Sequence, residues 1–535
     1  VSDAAQGGAE PPEGRAVERT ARGATVVAAG ILVSRVLGLV RNMAFAQVLG
    51  ATAASDAYTA ALKIPNAVRN LLGEGTLSAA FVPVYSRLLA GESPVAARAL
   101  ARAVLGLLLV VVSALTLLGI WAAPLLTALL AAGFDAPTQA LTTRLVRVLF
   151  PMTGLMVVSG WCLGVQAAHR RFFLAYASAA LWSVAQIALL WWGGGRGATL
   201  ETMAWWLAWA TLAGAVLQVA AQLPEVIRLT GVPWPTVDRA APGVAEVLRN
   251  VGPVVTALGV VQLSSFVDVQ VASWLPTGAA TTLSYAQAVA LLPVSLFGVS
   301  VAAAALPDLA RDEATLAIDQ LRERVRAGWQ RVLFYVVPSA VAFVAVGDLI
   351  VGMLYGGGRF GPAEQQVTHV VLGAYALGLV SAGSVKLLAS AFYALRDYRS
   401  PLRASLTSVV ISGGLAAATG FLLRDWRYAA SGIAAGSAIG SYANLALLLR
   451  GLRGRIGALY TPAMWAGTRR IVVASAVAAI ATLGVRGVTG RHGPWVIGPP
   501  LLAIFALAYL GTAWALGSRE AARWLRLPVR PGRDG

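Results

Sequence analysis

The sequence predicts an all-α, polytopic membrane protein, and three observations carry that expectation. Of 535 residues, 58% are hydrophobic and only 12% are charged, against about 25% charged in an average soluble domain. Mean hydropathy is +0.71. Apolar runs long enough to cross a bilayer recur along the whole chain, where a β-barrel would show short alternating segments. The net charge of +18 would suggest nucleic acid in a soluble protein. Here it is read as Arg gathered on cytoplasmic loops against anionic lipid, and no nucleic-acid partner is expected. The single cysteine, Cys162, excludes an internal disulfide and lies in an apolar run, where it is expected only to pack.

Residues 1–23 are polar, with Gly, Pro and Glu, and lack the apolar core and cleavage site of a signal peptide. They predict a disordered cytoplasmic tail. About fourteen spans follow, at 24–49, 56–89 (long and broken), 103–131, 141–168, 172–192 and 202–223, then 249–274, 281–305, 329–354, 366–394, 402–422 and 429–449, and finally 470–486 and 495–516. The expected division is a first lobe at 24–223, a cytoplasmic linker at 224–248 and a second lobe at 249–450. A pair of C-terminal helices at 451–516 and a basic tail at 517–535 complete it. With both termini cytoplasmic, the cytoplasmic segments hold 29 of the Lys and Arg residues and the external loops hold 6. That bias supports both the even count and the orientation. The stretch 312–331 reads either as an amphipathic helix on the membrane surface or as a solvated connector.

Two stretches resemble each other. "DAYTAALKIPNAVRNLLGEGTLSAAFVPVYSRLL" begins at Asp56 and "LSYAQAVALLPVSLFGVSVAAAALPDLARD" at Leu283. Each runs from Tyr to Pro, Gly, a small-residue stretch and a second Pro. Six spans separate them, so both enter the membrane the same way round, the pattern of parallel transporter repeats.

Charge distinguishes the two halves. The first carries Arg35, Arg41, Lys63 and Arg69 at membrane depth, where a charge costs about 2.5–3.5 kcal/mol on insertion scales and therefore marks a candidate functional site. Asp56, Thr59, Lys63, Asn66 and Asn70 draw one polar stripe down a helix, with Arg69 beside it. Pro65 predicts a kink, and "GEG" at 73–75 a second weak point. Arg35 and Arg41 lie about 9 Å apart along their helix and roughly 120° apart around it, so both can border one wide cavity; Ser34 shares a face with Arg41. Ion pairs with Asp56, Glu74 or Asp268 would account for single cations but not for the set. Surplus buried positive charge calls for an anionic ligand, and the planar fork of Arg suits phosphate. No Walker-type loop and no metal-ligand cluster occurs, and the chain is expected to be a transporter and not an enzyme.

The segments "SRVLGLVRN", "SDAY" and "KIPNAVRNLLGEGTLSAAFVPVYSRLL", with "GVSVAAAALPDLAR" and "KLLASAFYALRDYRSP" further on, resemble the MurJ/MviN family of lipid II flippases, within the MOP exporter superfamily. The resemblance implies two pseudo-symmetric six-helix lobes around a central cationic cavity, and a C-terminal helix pair grooved for a polyprenyl tail. It implies transfer of undecaprenyl-pyrophosphate-linked disaccharide-pentapeptide across the bacterial cytoplasmic (inner) membrane for peptidoglycan biosynthesis, cell wall biogenesis and cell shape. A monomer is expected, with lipid II and the phospholipid bilayer as partners. Ser34, Arg35, Arg41 and Arg69 match the residues that hold the pyrophosphate, and Asp56 and Glu74 match required acids; Lys63 and Asn66 join them from the stripe.

Three departures stand out. Asn42 replaces the usual Asp, and Gln287 and Ala288 stand where the eighth helix usually carries Arg. Asp268 is the candidate sodium ligand by resemblance, but the eleventh span offers only Ser412 and Ala416 at the matching positions, which leaves sodium and membrane potential both open as the coupling force. An exporter of another polyprenyl-pyrophosphate-linked sugar, or a non-transporting scaffold binding lipid intermediates, remain alternative readings.

Overall fold

The computed structural model describes residues 12–91, 93–232, 234–295, 318–395, 397–489 and 493–528. Among them there is no strand, only an isolated bridge between Gly357 and Phe360. The helices are α1 (Pro12–Leu49), α2 (Ala53–Leu72), α3 (Glu74–Ala80), α4 (Val82–Ala90), α5 (Pro94–Trp121), α6 (Ala123–Leu130), α7 (Ala136–Ala168), α8 (Phe172–Ala177), α9 (Ala179–Gly194) and α10 (Leu200–Thr230). They continue with α11 (Val244–Ser273), α12 (Ala279–Pro293), α13 (Ile318–Tyr355), α14 (Pro362–Ala394), α15 (Arg399–Leu422), α16 (Ala430–Ile456), α17 (Pro462–Thr489), α18 (Pro494–Ala515) and α19 (Arg519–Leu525).

Ten of these are long and apolar enough to cross a membrane. The other four expected spans fall on α2–α4, α8–α9, α11 and α12. The α2–α4 segment is polar along one stripe and broken at Gly73 and Phe81, and α8–α9 is broken at Ser178; side chains 257, 260 and 261 of α11, and residues 296–317, which hold the rest of the expected 281–305 span, lie outside the described residues. Helix α1 begins at Pro12, well before the first expected span, and residues 1–11 lie outside the described residues. Pro65 sits inside α2, which runs unbroken to Leu72, and Gly73 separates it from α3.

The chain forms two units. The first gathers α1 through Phe45, Ala61–Pro124 and Thr143–Gly259. Its core is built by Leu77, Phe81, Tyr85, Leu100, Trp161 and Val244, and Cys162 is fully buried among them as a free thiol. Buried amides cross this unit too: Gln218 and Gln222 both donate to Ser159 Oγ at 2.9 Å, which satisfies polar groups that would otherwise be costly there. Where α4 and α11 begin to leave the apolar region, Arg87 grips both oxygens of Glu246 at 3.1 and 2.7 Å, and this bond holds the Glu246 carboxyl below its usual range.

The second unit comprises Ala46–Ala60, Leu125–Thr142 and the chain from Val260 onward. Its membership therefore departs from the lobes expected at 24–223 and 249–450. Contacts within the unit explain why: Gly133 N–H donates to Ser273 Oγ at 3.0 Å, and Arg359 N–H donates to Gln47 O at 2.9 Å. Helices α15 and α16 approach unusually closely. A Cβ on Gly440 would lie 2.7 Å from Ser408 O, and one on Gly432 would lie 2.7 Å from Thr419 Cβ, so the small residues at four-residue spacing let the two backbones touch.

The expected surface helix at 312–331 is instead, from Ile318, the start of α13, continuous with a span. Leu321, Val325 and Trp329 are buried. Arg326 donates to Leu459 O at 3.0 Å and Ala458 O at 2.6 Å, and Arg322 reaches Ile456 O, so two side chains of α13 complete the open carbonyls after α16. Farther along, Arg486 of α17 meets Asp348 of α13 through two bonds of 2.9 and 2.5 Å. Of the expected basic tail, Arg519, Arg523 and Arg526 are on or just after α19, while Arg530 and Arg533 lie outside the described residues.

Candidate functional site

Helix α1 carries Ser34, Arg35 and Arg41 in its part that belongs to the first unit. Arg35 is exposed, and Ser34 and Arg41 are half-buried. The Arg41 guanidinium donates to Asn42 Oδ1 from Nη2 at 2.9 Å and Nε at 3.3 Å, and lies 4.8 Å from the centre of the Trp182 ring. Trp182, on α9, was not among the expected site residues. A flat aromatic face holds a guanidinium by cation–π attraction without supplying an opposite charge, but nothing in the sequence around Trp182 announces which cation it will meet. The neutral Asn42 orients the fork and leaves its positive charge in place.

The polar stripe of α2 divides between the two units. Lys63, Asn66 and Arg69 belong to the first, all three half-buried, and Asn66 Oδ1 is a buried acceptor with no partner. An orphan amide oxygen beside two cationic side chains marks a place where a polar guest, or water, completes the bonding. Glu74 opens α3, but its side chain lies outside the described residues.

Asp56 belongs to the second unit and does something different. It is 3% exposed. Its Oδ2 accepts from Gly278 N–H at 2.6 Å, and its Oδ1 accepts from Thr281 N–H at 2.8 Å and Thr281 Oγ–H at 2.7 Å. Asp56 is thus a cap on the start of α12, supplied from more than two hundred residues away in the chain. The open N–H groups and positive end of a helix favour a carboxylate there. Tyr285 Oη adds a bond to Gly50 O at 3.4 Å. Beside the cap a cleft of about 170 Å³ is lined by Ala51, Gly278, Thr282, Glu364 and Arg427, among others. A capping box between distant segments leaves no local spacing for a sequence reader to find.

Asp268, on α11, is half-buried and within electrostatic reach of Tyr375. Ser412 and Ala416 of α15 face α16 instead: a Cβ on Gly436 would meet Ala416 N and Ser412 O at 3.2 Å. Between Arg399 and Leu422, α15 carries no Asp, Asn, Glu or Gln. These residues do not fit the expected sodium site, since hard cations want several oxygen ligands. Among the described residues no three His, Cys, Asp or Glu side chains converge on a metal position.

Long apolar helices in two units, with cationic side chains embedded at span depth, define the class: a polytopic transport protein of the membrane. The particular family follows from sequence. The profile described as lipid II flippase MurJ matches residues 45–505, and the chain belongs to that family. A probable lipid II flippase MurJ of Bdellovibrio bacteriovorus is 29% identical over 529 residues, covering 95% of this chain and 96% of that protein. A protein of the same description from Rhizobium tropici is 30% identical over 457 residues and covers 84% of each. A solved structure described as lipid II flippase MurJ, inward closed conformation, shares the fold with a TM-score of 0.78 at 21% identity, covering 94% of this chain and all of that one. An inward-facing multidrug resistance MATE family transporter of the MOP superfamily follows at 0.67 and 15%, covering 80% and 95%.

Proposed function

We infer that this chain is a lipid II flippase, moving the undecaprenyl-pyrophosphate-linked peptidoglycan precursor from the inner to the outer leaflet by alternating access. The observation that carries this reading is membership of the MurJ family over nearly the full length. The chemistry of the first unit supports it: the Arg41 guanidinium is oriented by the Asn42 amide and the Trp182 ring, and Lys63 and Arg69 are half-buried in the same unit. A diphosphate is the guest that such a place suits, by charge and by the paired bonds a guanidinium offers. Ser34, Arg35, Lys63, Asn66, Arg69 and Glu74 complete the proposed set. The chain acts as a monomer in the cytoplasmic membrane with both termini inside, as the 29-to-6 distribution of Lys and Arg favours.

No step is assigned to sodium. The proposed driving force is the membrane potential acting on the fixed cations, worth about 2.3 kcal/mol per elementary charge per 100 mV. The test is rescue of a flippase-depleted bacterium, read as lipid II accessible at the outer surface. The parent chain restores growth and accessibility; Arg35→Ala and Arg41→Ala insert normally and restore neither. Full rescue by both variants would remove the cation pocket from the mechanism. Failure of the parent to rescue, with normal insertion, would favour a different polyprenyl-pyrophosphate cargo or a scaffold.

A further inference from the structure

The segment joining α10 to α11 is not a slack linker. Gly231 ends α10 at φ +74°, and the chain then lies against α5 at Val232 and Thr236, with Trp234 N–H turned back onto Val232 O at 3.0 Å. Arg102 holds it from both sides: its Nη2 donates to Val232 O at 3.0 Å, and its carbonyl accepts from Thr236 N–H at 3.2 Å. Gly106, one turn on, makes the seat, since a Cβ there would lie 2.1 Å from Thr236 O. Asp238 Oδ1 then closes a turn on Ala240 N–H at 2.9 Å, and Ala241 and Val244 return the chain to the core. Between these fixed points the strap turns its apolar side chains outward. Val232 is 52%, Trp234 71% and Val237 60% exposed.

The depth of the strap can be read from α5. Residues 103–121 contain no charge, and about 19 helical residues at 1.5 Å each nearly fill a hydrocarbon core about 30 Å thick. Arg102 therefore marks the boundary of the core, and a strap pinned to Arg102 and seated on Gly106 lies at that boundary. Trp is the side chain favoured there, with an apolar ring for the acyl side and an N–H for the headgroups. Arg98, one turn before Arg102, and Arg239 on the strap are both exposed and give the rim the sign that attracts phosphate.

We propose that the strap of Val232 and residues 234–240 is a membrane anchor, docking Val232, Trp234 and Val237 into the headgroup region of an anionic leaflet, with Arg98 and Arg239 receiving lipid phosphates. It rests on the chain spanning the membrane and not on which lipid is carried, so it can fail without touching the flippase reading.

The test uses the full chain with Cys162→Ala and a nitroxide label at Val237→Cys, reconstituted in nanodiscs of phosphatidylcholine alone or mixed with phosphatidylglycerol. Collisions with membrane-soluble oxygen should exceed those with a water-soluble nickel chelate, and more so with phosphatidylglycerol present. Trp234→Ala should return the label to water, and Arg98→Gln with Arg239→Gln should abolish the difference between lipids. A label at Val232→Cys gives the same reading should Val237→Cys fail to reconstitute. Equal nickel access in both lipids would overturn the anchor. So would shielding from both reagents, which would mean that protein covers the strap.

Discussion

The two ends of α2 differ in one respect that matters. At the start of the helix, Asp56 is a charge with every obligation met: three donors from α12 surround it, and it is buried. Two turns on, Lys63, Asn66 and Arg69 are half-buried, and an amide oxygen among them has no partner. One polar stripe, continuous in sequence, thus contains a satisfied structural bond and an unfinished polar surface. A carboxylate that holds two segments together is useful because it is costly to remove. An unpartnered amide oxygen such as Asn66 Oδ1 is useful for the opposite reason, because a polar guest can add a bond there. The residue types look alike on a helical wheel; the partners separate them.

Breaking the satisfied end should have the larger effect. Asp56→Ala removes three charge-assisted bonds, each worth about 1.5–3 kcal/mol, and leaves the Gly278 and Thr281 N–H groups open. Allowing for non-additivity, a loss on the order of 3–6 kcal/mol is expected, enough to free the start of α12. In a Cys162→Ala background, a cysteine at Thr282, which is 2% exposed, should react slowly with a membrane-impermeant thiol reagent, and at least about tenfold faster when Asp56→Ala is added. That factor corresponds to only about 1.4 kcal/mol of population shift. Unchanged labelling would mean that the cap is incidental to holding α12. Asp56→Asn should fall between, because its carbonyl oxygen still accepts from Thr281 while its amide opposes Gly278.

Much of this molecule is legible in the chain because bilayers impose blunt rules. The helical class and ten of the fourteen expected spans follow from apolar run length alone, and the weak point at "GEG" is realised at Gly73. The packing fate of Cys162 is visible for the same reason. What could not be read depends on pairing across long separations. Asp56 lies in a polar stripe and reads as a cavity acid, yet it caps a helix that starts at Ala279. The segment 312–331 has surface-helix character, but Arg322 and Arg326 turn its described part toward the carbonyls after α16. Ala46–Ala60 belongs with the second unit, a membership that chain order does not announce. A charge at membrane depth marked Arg41 and the family likeness matched it; only coordinates supplied Trp182.

The unfinished end is sharpened by smaller changes. Trp182→Ala removes a ring contact worth about 0.5–2 kcal/mol, so transport by the reconstituted protein should fall about 2- to 30-fold, whereas Trp182→Phe should retain most of it. Equal loss in both variants would point to packing against Met156 and Leu212 and not to the cation. The smallest effect is expected at Asn42. Asn42→Asp places a carboxylate where an amide now accepts two bonds from Arg41, turning an oriented charge into an ion pair that competes with phosphate. The competition is local and the guest brings two negative groups, so affinity for a pyrophosphate lipid should weaken by no more than about threefold, or ~0.65 kcal/mol. A calorimetric or fluorescence titration of Asn42→Asp against the parent measures this directly. A loss as large as that of Arg41→Ala would mean that a single adjacent carboxylate answers Arg41 completely, and the contrast between the two ends of α2 would then lie in that one substitution and not in the architecture.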